Sequence, residues 1–286
     1  MKYLVTGSTG KFGRHALDYL STYVDKGDIV ALVRDEDKGK ALIEEGFEVR
    51  IADYSDPVSL RDAFAGVQRL LFVSSVPGGP VGRQEQHRNV VEAARREDVD
   101  FIAYTSIANA QESKCMLAPD HVYTEEIIDE SGIDHVFLRN NWYLENEELI
   151  FKGALENGRF VHGAGAGRVG WALRREYAEA AARVLAQVYT ATGKGVLELS
   201  GHPTTYAELA AALAKISGEN FEVVSLDQAA YRVELEKAGL PDSFVGYLNS
   251  LHAEIGEGVL DVESPDFPAV LGRPLTPLDE ALGRLV

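Results

Sequence analysis

The sequence predicts a doubly wound parallel α/β sheet followed by a smaller α/β lobe, and three observations predict it. A short apolar run, Tyr3 to Val5, leads directly into a glycine turn, Gly7-Ser8-Thr9-Gly10-Lys11-Phe12-Gly13. Beyond the turn, Phe12, Ala16, Leu17 and Leu20 share one helical face. Strand-like runs then keep alternating with helical periodicity, which implies parallel strands, right-handed crossovers and helices on both faces.

The elements follow in order. Asp28 to Val33 reads as a strand, Asp37 to Glu45 as a helix and Glu48 to Ile51 as a short strand. Asp56-Pro57 supplies an N-cap and a first-turn proline for a helix running to about Phe64. Arg69 to Val73 is a buried strand, Gln84 to Glu97 a polar-faced helix, Phe101 to Thr105 a strand, Pro119 to Glu130 a helix and His135 to Leu138 a strand. From Tyr177, the residues Ala178, Ala181, Ala182, Leu185 and Val188 make an amphipathic helix. Gly195 to Leu199 is a strand, Thr205-x-x-Glu208 a capping box and Phe221 to Val224 a strand. Pro241 opens a helix ending near His252, and Thr276-Pro277-Leu278-Asp279 caps the last one. Residues 1–150 are expected to form the first domain. Residues 151–286 form a smaller lobe that sends elements back to the sheet.

A glycine turn between strand and helix is a place for phosphate. The first helical amides lack internal partners and sit at the positive end of the helix dipole. One glycine lets the chain reverse, another removes the Cβ that would block a pyrophosphate, and a third lets helix and strand approach closely. The spacing is GxxGxxG rather than the commoner GxGxxG, but its place after the first strand is the context that a dinucleotide site of the Rossmann type requires.

Composition narrows the rest. The chain has 286 residues, 45% of them apolar and 26% charged, as in ordinary globular proteins. No run is long and apolar enough to span a membrane and no leader precedes the first strand, so a cytoplasmic location is expected. A net charge of −17 opposes nucleic acid and anionic membrane as partners. Cys115 is alone and suits a reducing compartment. The histidines lack helix-spaced pairing, so no metal is expected.

Ligands of such sheets bind beyond the carboxyl ends of the strands. Arg34 closes the second strand, where an arginine suits a 2′-phosphate and a carboxylate would suit a ribose hydroxyl. That favours NADP, although Asp35, Glu36 and Asp37 follow at once. Ser74 and Ser75 open a Pro/Gly loop after the fourth strand, read either as a lining for the cofactor or as a plain turn. Trp142-Tyr143 lies just past a strand end, which favours a site over core packing.

These stretches, taken in order, resemble a known family. Val5-Thr6-Gly7-Ser8-Thr9-Gly10, Val30-Ala31-Leu32-Val33-Arg34, Ala52-Asp53-Tyr54, Gln86-His87-Arg88-Asn89-Val90, Phe101-Ile102-Ala103-Tyr104-Thr105-Ser106, His121 with Thr124-Glu125, Leu138-Arg139-Asn140-Asn141-Trp142-Tyr143-Leu144-Glu145-Asn146 and Leu271-Gly272-Arg273-Pro274 with Thr276 span the whole chain. The chain resembles the NmrA-like branch of the atypical short-chain dehydrogenases, and within it the bacterial NAD(P)H:quinone oxidoreductase 2 group. The resemblance implies that Gly7, Ser8, Thr9, Gly10, Lys11 and Phe12 hold the pyrophosphate and Arg34 the 2′-phosphate. It places Asn140, Asn141, Trp142, Tyr143 and Glu145 by the nicotinamide, and Ser74 and Ser75 along the cofactor. Asn141 departs from the glycine usual in the quinone reductases, and the loop Val76 to Arg83 is longer than usual.

Ketone-reducing short-chain dehydrogenases use a tyrosine with a lysine four residues later. No tyrosine here has that partner, and Tyr123, in the right region, is followed by Ile127. Hydride addition to a quinone gives a phenolate-like anion whose conjugate acid has a pKa of about 10, so proton donation is far less urgent than for a ketone alkoxide. The expected activity is therefore quinone reduction by NADP(H), with NAD(H) as the second choice, without flavin or metal. Asn141, Trp142 and Tyr143 position the reactants, and no residue is a firm general acid. The alternative is a non-catalytic nicotinamide-redox sensor acting through a protein partner. A homodimer is compatible with both.

Overall fold

The computed structural model describes residues 1–78, 80–190 and 195–286. Gly79, within the long loop after the fourth strand, lies outside them. The first half is β1 (Tyr3–Val5), α1 (Lys11–Leu20), β2 (Ile29–Val33), α2 (Glu36–Glu44), β3 (Glu48–Ile51), α3 (Pro57–Phe64), β4 (Arg69–Phe72), α4 (Arg83–Arg96), β5 (Phe101–Ile107), α5 (Ala118–Ser131) and β6 (Asp134–Asn140). Then follow α6 (Glu148–Asn157), β7 (Arg159–His162), β8 (Arg168–Val169), α7 (Arg174–Leu185), β9 (Val196–Leu199), β10 (Thr204–Thr205), α8 (Tyr206–Ser217), β11 (Glu222–Ser225), α9 (Gln228–Lys237), α10 (Asp242–Gly256), α11 (Asp266–Leu271) and α12 (Leu278–Leu282).

Seven parallel strands form the sheet, in the order β3-β2-β1-β4-β5-β6-β9. The order reverses between β1 and β4, the place where doubly wound sheets open a ligand crevice. Strand residues alternate between two cores, as the two-residue period of a strand requires. Val5, Ala31, Val33 and Leu71 pack under α1 and α7, while Leu4, Val30, Leu32, Leu70 and Phe72 pack under α3 and α4. Both faces are covered, which is why these strands are almost wholly apolar.

The second half contributes to both bodies. Helix α7 packs along α1, β9 joins β6 with Asn140 beside Leu199, and α11 packs on β9. A separate core gathers Leu144, Phe151, Phe160, Trp171, Tyr206, Leu209, Leu251 and Ile255 from the segment after β6 and from α6, β7, α8 and α10. Strands β11 and β7 pair in parallel, and β10 and β8 antiparallel.

Three local expectations are corrected. Helix α7 is not amphipathic: α1, the sheet and α11 enclose it, and even Glu176 and Glu179 are buried, paired with Arg273 at 2.9 and 2.6 Å. Val188 lies beyond its end and is exposed. Thr276 does not cap α12; its backbone and hydroxyl both donate to Glu176, and Pro277 holds the cap position.

Candidate nicotinamide-dinucleotide site

The glycine turn is built as its spacing requires. Gly7 has φ +62°, a conformation that favours glycine. A Cβ on Gly13 would stand 2.2 Å from the Gly7 carbonyl oxygen, so only glycine lets α1 sit this close to the end of β1. The first bond into the helix runs from the Arg14 amide to the Gly10 carbonyl, and Gly10 offers no side-chain cap. The amides of Lys11, Phe12 and Gly13 are left as first-turn donors without helical partners. Ser8 is buried and turned inward, its hydroxyl donating to the Val5 carbonyl at 2.7 Å, whereas Thr9, Gly10 and Lys11 are exposed.

At the end of β2, Arg34 is exposed; hydrogen bonds from Ser55 hold the nearby Asp53 carboxyl below its ordinary range, with a smaller contribution from the Arg34 charge. Two of the acids after Arg34 are committed locally. Asp35 caps α2 by accepting from the Asp37 amide, and Asp37 pairs with Lys40 at 2.5 Å.

Beyond β4 and β5, side chains tie the strand ends together. The Ser74 amide donates to the Thr105 hydroxyl at 2.9 Å, and the Ser75 amide donates to His87 Nε2 at 3.0 Å. Nε2 of His87 is therefore an acceptor, and its Nδ1–H donates to the Thr124 hydroxyl at 2.7 Å. Arg83 donates to the Ser75 carbonyl and to His121 Nε2, which leaves His121 Nδ1–H facing the Tyr104 hydroxyl at 2.9 Å. Burial, with the Arg83 charge, pushes both imidazoles down, His87 to about 3, so each is a neutral tie.

The segment after β6 closes the crevice. Tyr143 stacks on Phe12 of α1 and sits edge-on to buried Tyr177, and its hydroxyl accepts from Asn140. Asn141 is buried, its amide nitrogen donating to the Ser200 hydroxyl and the Leu260 carbonyl at 3.0 Å each. Both of its donors are thus used internally. Glu145 accepts from the Arg174 amide and so caps α7. Trp142 turns toward the second-lobe core. Among the described residues, the buried side-chain amide oxygens of Asn140 and Asn141 have no hydrogen-bond partner. Unpaired side-chain acceptors at the end of β6 and, at α1, open amides on a tight glycine turn together fit a dinucleotide with a carboxamide at one end.

The NAD(P)H-binding family profile matches residues 7–170. The chain belongs to this NAD(P)H-binding, NmrA-like family. It is 39% identical over 282 residues to quinone oxidoreductase 2 of Escherichia coli (strain K12), covering 98% of this chain and 97% of that one. Its fold superposes with a TM-score of 0.91 on the Escherichia coli enzyme solved with NADPH, at 38% identity and 99% coverage of each chain. It superposes at 0.93 on the Citrobacter sp. triphenylmethane reductase solved with NADP(H), at 35% identity and 100% coverage of each. The chain is an NAD(P)H-dependent oxidoreductase related to these enzymes.

Several site-building residues carry no mark that the sequence reading used. Ser200 receives Asn141, and Gly170 and Gly201 make room for it: a Cβ on Gly170 would meet the Ser200 hydroxyl oxygen at 2.0 Å, and one on Gly201 the Trp171 carbonyl oxygen at 1.9 Å. His87 and His121 stand within stretches that carry the family resemblance, but their pairing with Arg83, Ser75 and Tyr104 is visible only once α4 and α5 are side by side.

Proposed function

We propose that the protein reduces quinones with NADPH by direct hydride transfer, without flavin, in a cytoplasmic setting. The observation that carries this reading is the place of Tyr123. Its hydroxyl accepts from Arg88 of α4 at 2.7 Å, so it is held in the outer helical layer, and Ile127 stands where a lysine would be. The tyrosine–lysine pair that would protonate an alkoxide is therefore not formed at this position, and a quinone is the acceptor that needs such an acid least. The relatedness to quinone oxidoreductase 2 supports the same acceptor class.

The amides of Lys11, Phe12 and Gly13 take the diphosphate, and Arg34 grips the 2′-phosphate. The unpaired side-chain amide oxygens of Asn140 and Asn141 would accept from the nicotinamide carboxamide. When bound, the reduced nicotinamide supplies a hydride. Tyr143, braced between Phe12 and Tyr177, fixes the ring's edge, and the segment after β6 excludes water from it. The proton that completes the hydroquinone comes from solvent.

The test is flavin-free protein with NADPH and menadione, followed by loss of the reduced cofactor. Saturable oxidation is expected. Tight NADP+ binding with no turnover above background favours the redox-sensor reading instead.

A further inference from the structure

Glu147 lies at the end of the turn that follows Tyr143, and it is 3% exposed. Its Oε1 accepts from the Trp171 indole at 3.2 Å and from the Tyr206 hydroxyl at 3.0 Å, and Trp142 lines the small cavity beside the carboxyl. These are the only two tryptophans in the chain. Each belongs to backbone that borders the nicotinamide edge. Trp142 precedes Tyr143, and its carbonyl accepts from the Ala172 amide; the Leu144 amide donates back to the Ala172 carbonyl, next to Trp171.

We propose that Glu147 is a positioning residue for hydride transfer: by holding Trp171 and Tyr206 on one carboxyl group it fixes, through the backbone bonds of Ala172 to Trp142 and Leu144, the segment Asn141–Glu145 that flanks the nicotinamide, without touching cofactor or acceptor. This rests on the reading above, in which that segment borders the reacting ring.

The surroundings suit a neutral carboxyl. Burial pushes Glu147 up to about 7, and the hydrogen bonds from Trp171 and Tyr206 restrain the rise. The titratable groups around it add no opposing charge. Tyr206 of α8 donates to it; His162 of β7 stacks on Tyr206, and His252 of α10 packs on Tyr206 and bonds Tyr231 of α9. Burial pushes both imidazoles down, His252 to about 3, so both are neutral. Because both strong donors converge on Oε1, protonation on Oε2 leaves them in place, and glutamine imitates that form. Beside the carboxyl, a cavity of about 20 Å³ lined by Trp142, Tyr231 and His252 has room for about one water. Ionisation favours drawing water into that cavity and loosening Trp142.

The experiment compares wild type, Glu147→Gln and Glu147→Ala for tryptophan emission, energy transfer from tryptophan to bound NADPH, NADPH Kd, and kcat with menadione from about pH 5.5 to about 8.5. Glu147→Gln is expected to keep the emission and kcat at low pH and to lose the fall in kcat that wild type shows above neutrality. Glu147→Ala is expected to shift the emission, weaken energy transfer, leave NADPH Kd nearly unchanged and lower kcat by roughly tenfold or more. An unchanged pH profile in Glu147→Gln overturns the proposal even if Glu147→Ala fails to fold. So does a parallel loss of kcat and NADPH affinity in Glu147→Ala. If wild type shows energy transfer but no quinone turnover, the acceptor reading fails while the anchoring is still tested, and unaltered transfer in Glu147→Ala then overturns it.

Discussion

The rings of Phe12 and Tyr143 stack with centroids 6.1 Å apart and planes 24° apart. This contact joins α1, which opens the proposed phosphate site, to the segment that follows β6, proposed to border the nicotinamide, with Tyr177 closing the other side of Tyr143. Tyr143→Ala is expected to cost about 2–3 kcal/mol of stability and to weaken NADPH binding. Tyr143→Phe, which loses only the long hydrogen bond from Asn140, is expected to cost less than about 1 kcal/mol. Urea titrations of both variants, with cofactor titrations on the folded protein, check this.

Gly13→Ala places a methyl group 2.2 Å from a backbone oxygen that has no rotamer to escape into. A loss of about 3 kcal/mol or more, or failure to fold, is expected. Gly153 is the internal control. It sits in α6 with nothing within 4 Å of an added Cβ, and alanine there is expected to add about 0.5–1 kcal/mol. Thermal melts of the two variants should move in opposite directions.

Arg34→Ala is expected to weaken NADPH binding by roughly tenfold or more while changing NADH binding little, since a bidentate grip on a 2′-phosphate is worth about 1.5–3 kcal/mol. Paired titrations with the two cofactors decide it. Equal losses would remove the role from Arg34.

Glu147 also has a signature in stability alone. Its pKa is about 7 in the fold against 4.5 for the free side chain, so between these values the folded state binds the extra proton. Stability is then highest below about pH 4.5, falls as pH rises and levels off above about 7, a change on the order of 3 kcal/mol at most. Glu147→Gln removes this component. The difference between the two proteins' unfolding free energies, followed across that window, should favour wild type progressively less as pH rises.

Much of the first half was legible because both faces of its sheet are covered: continuous apolar runs such as Ile29–Val33 can hardly be anything but buried parallel strands. Asp56 and the Thr205/Glu208 box also announced their helices, because capping is a local matter. Helix α7 misled for the opposite reason. Its polar residues Glu176 and Glu179 mark an outer face by composition, but Arg273, almost a hundred residues on, returns to neutralise them inside. Asn141 could be seen as unusual but not understood, since what accommodates it is the absence of side chains at Gly170 and Gly201 and a hydroxyl on Ser200. Glu147 was invisible in the same way: its two donors reach it from the loop after β8 and from α8, and no short stretch of sequence contains them together.

The most direct test of the central claim is a stopped-flow measurement with NADPH deuterated at the transferring position of C4, flavin-free protein and a simple benzoquinone. Oxidation with a normal primary isotope effect and no requirement for added flavin is the predicted result. Oxidation that begins only when flavin is supplied, or that shows no isotope effect in the chemical step, would contradict direct hydride transfer across this crevice.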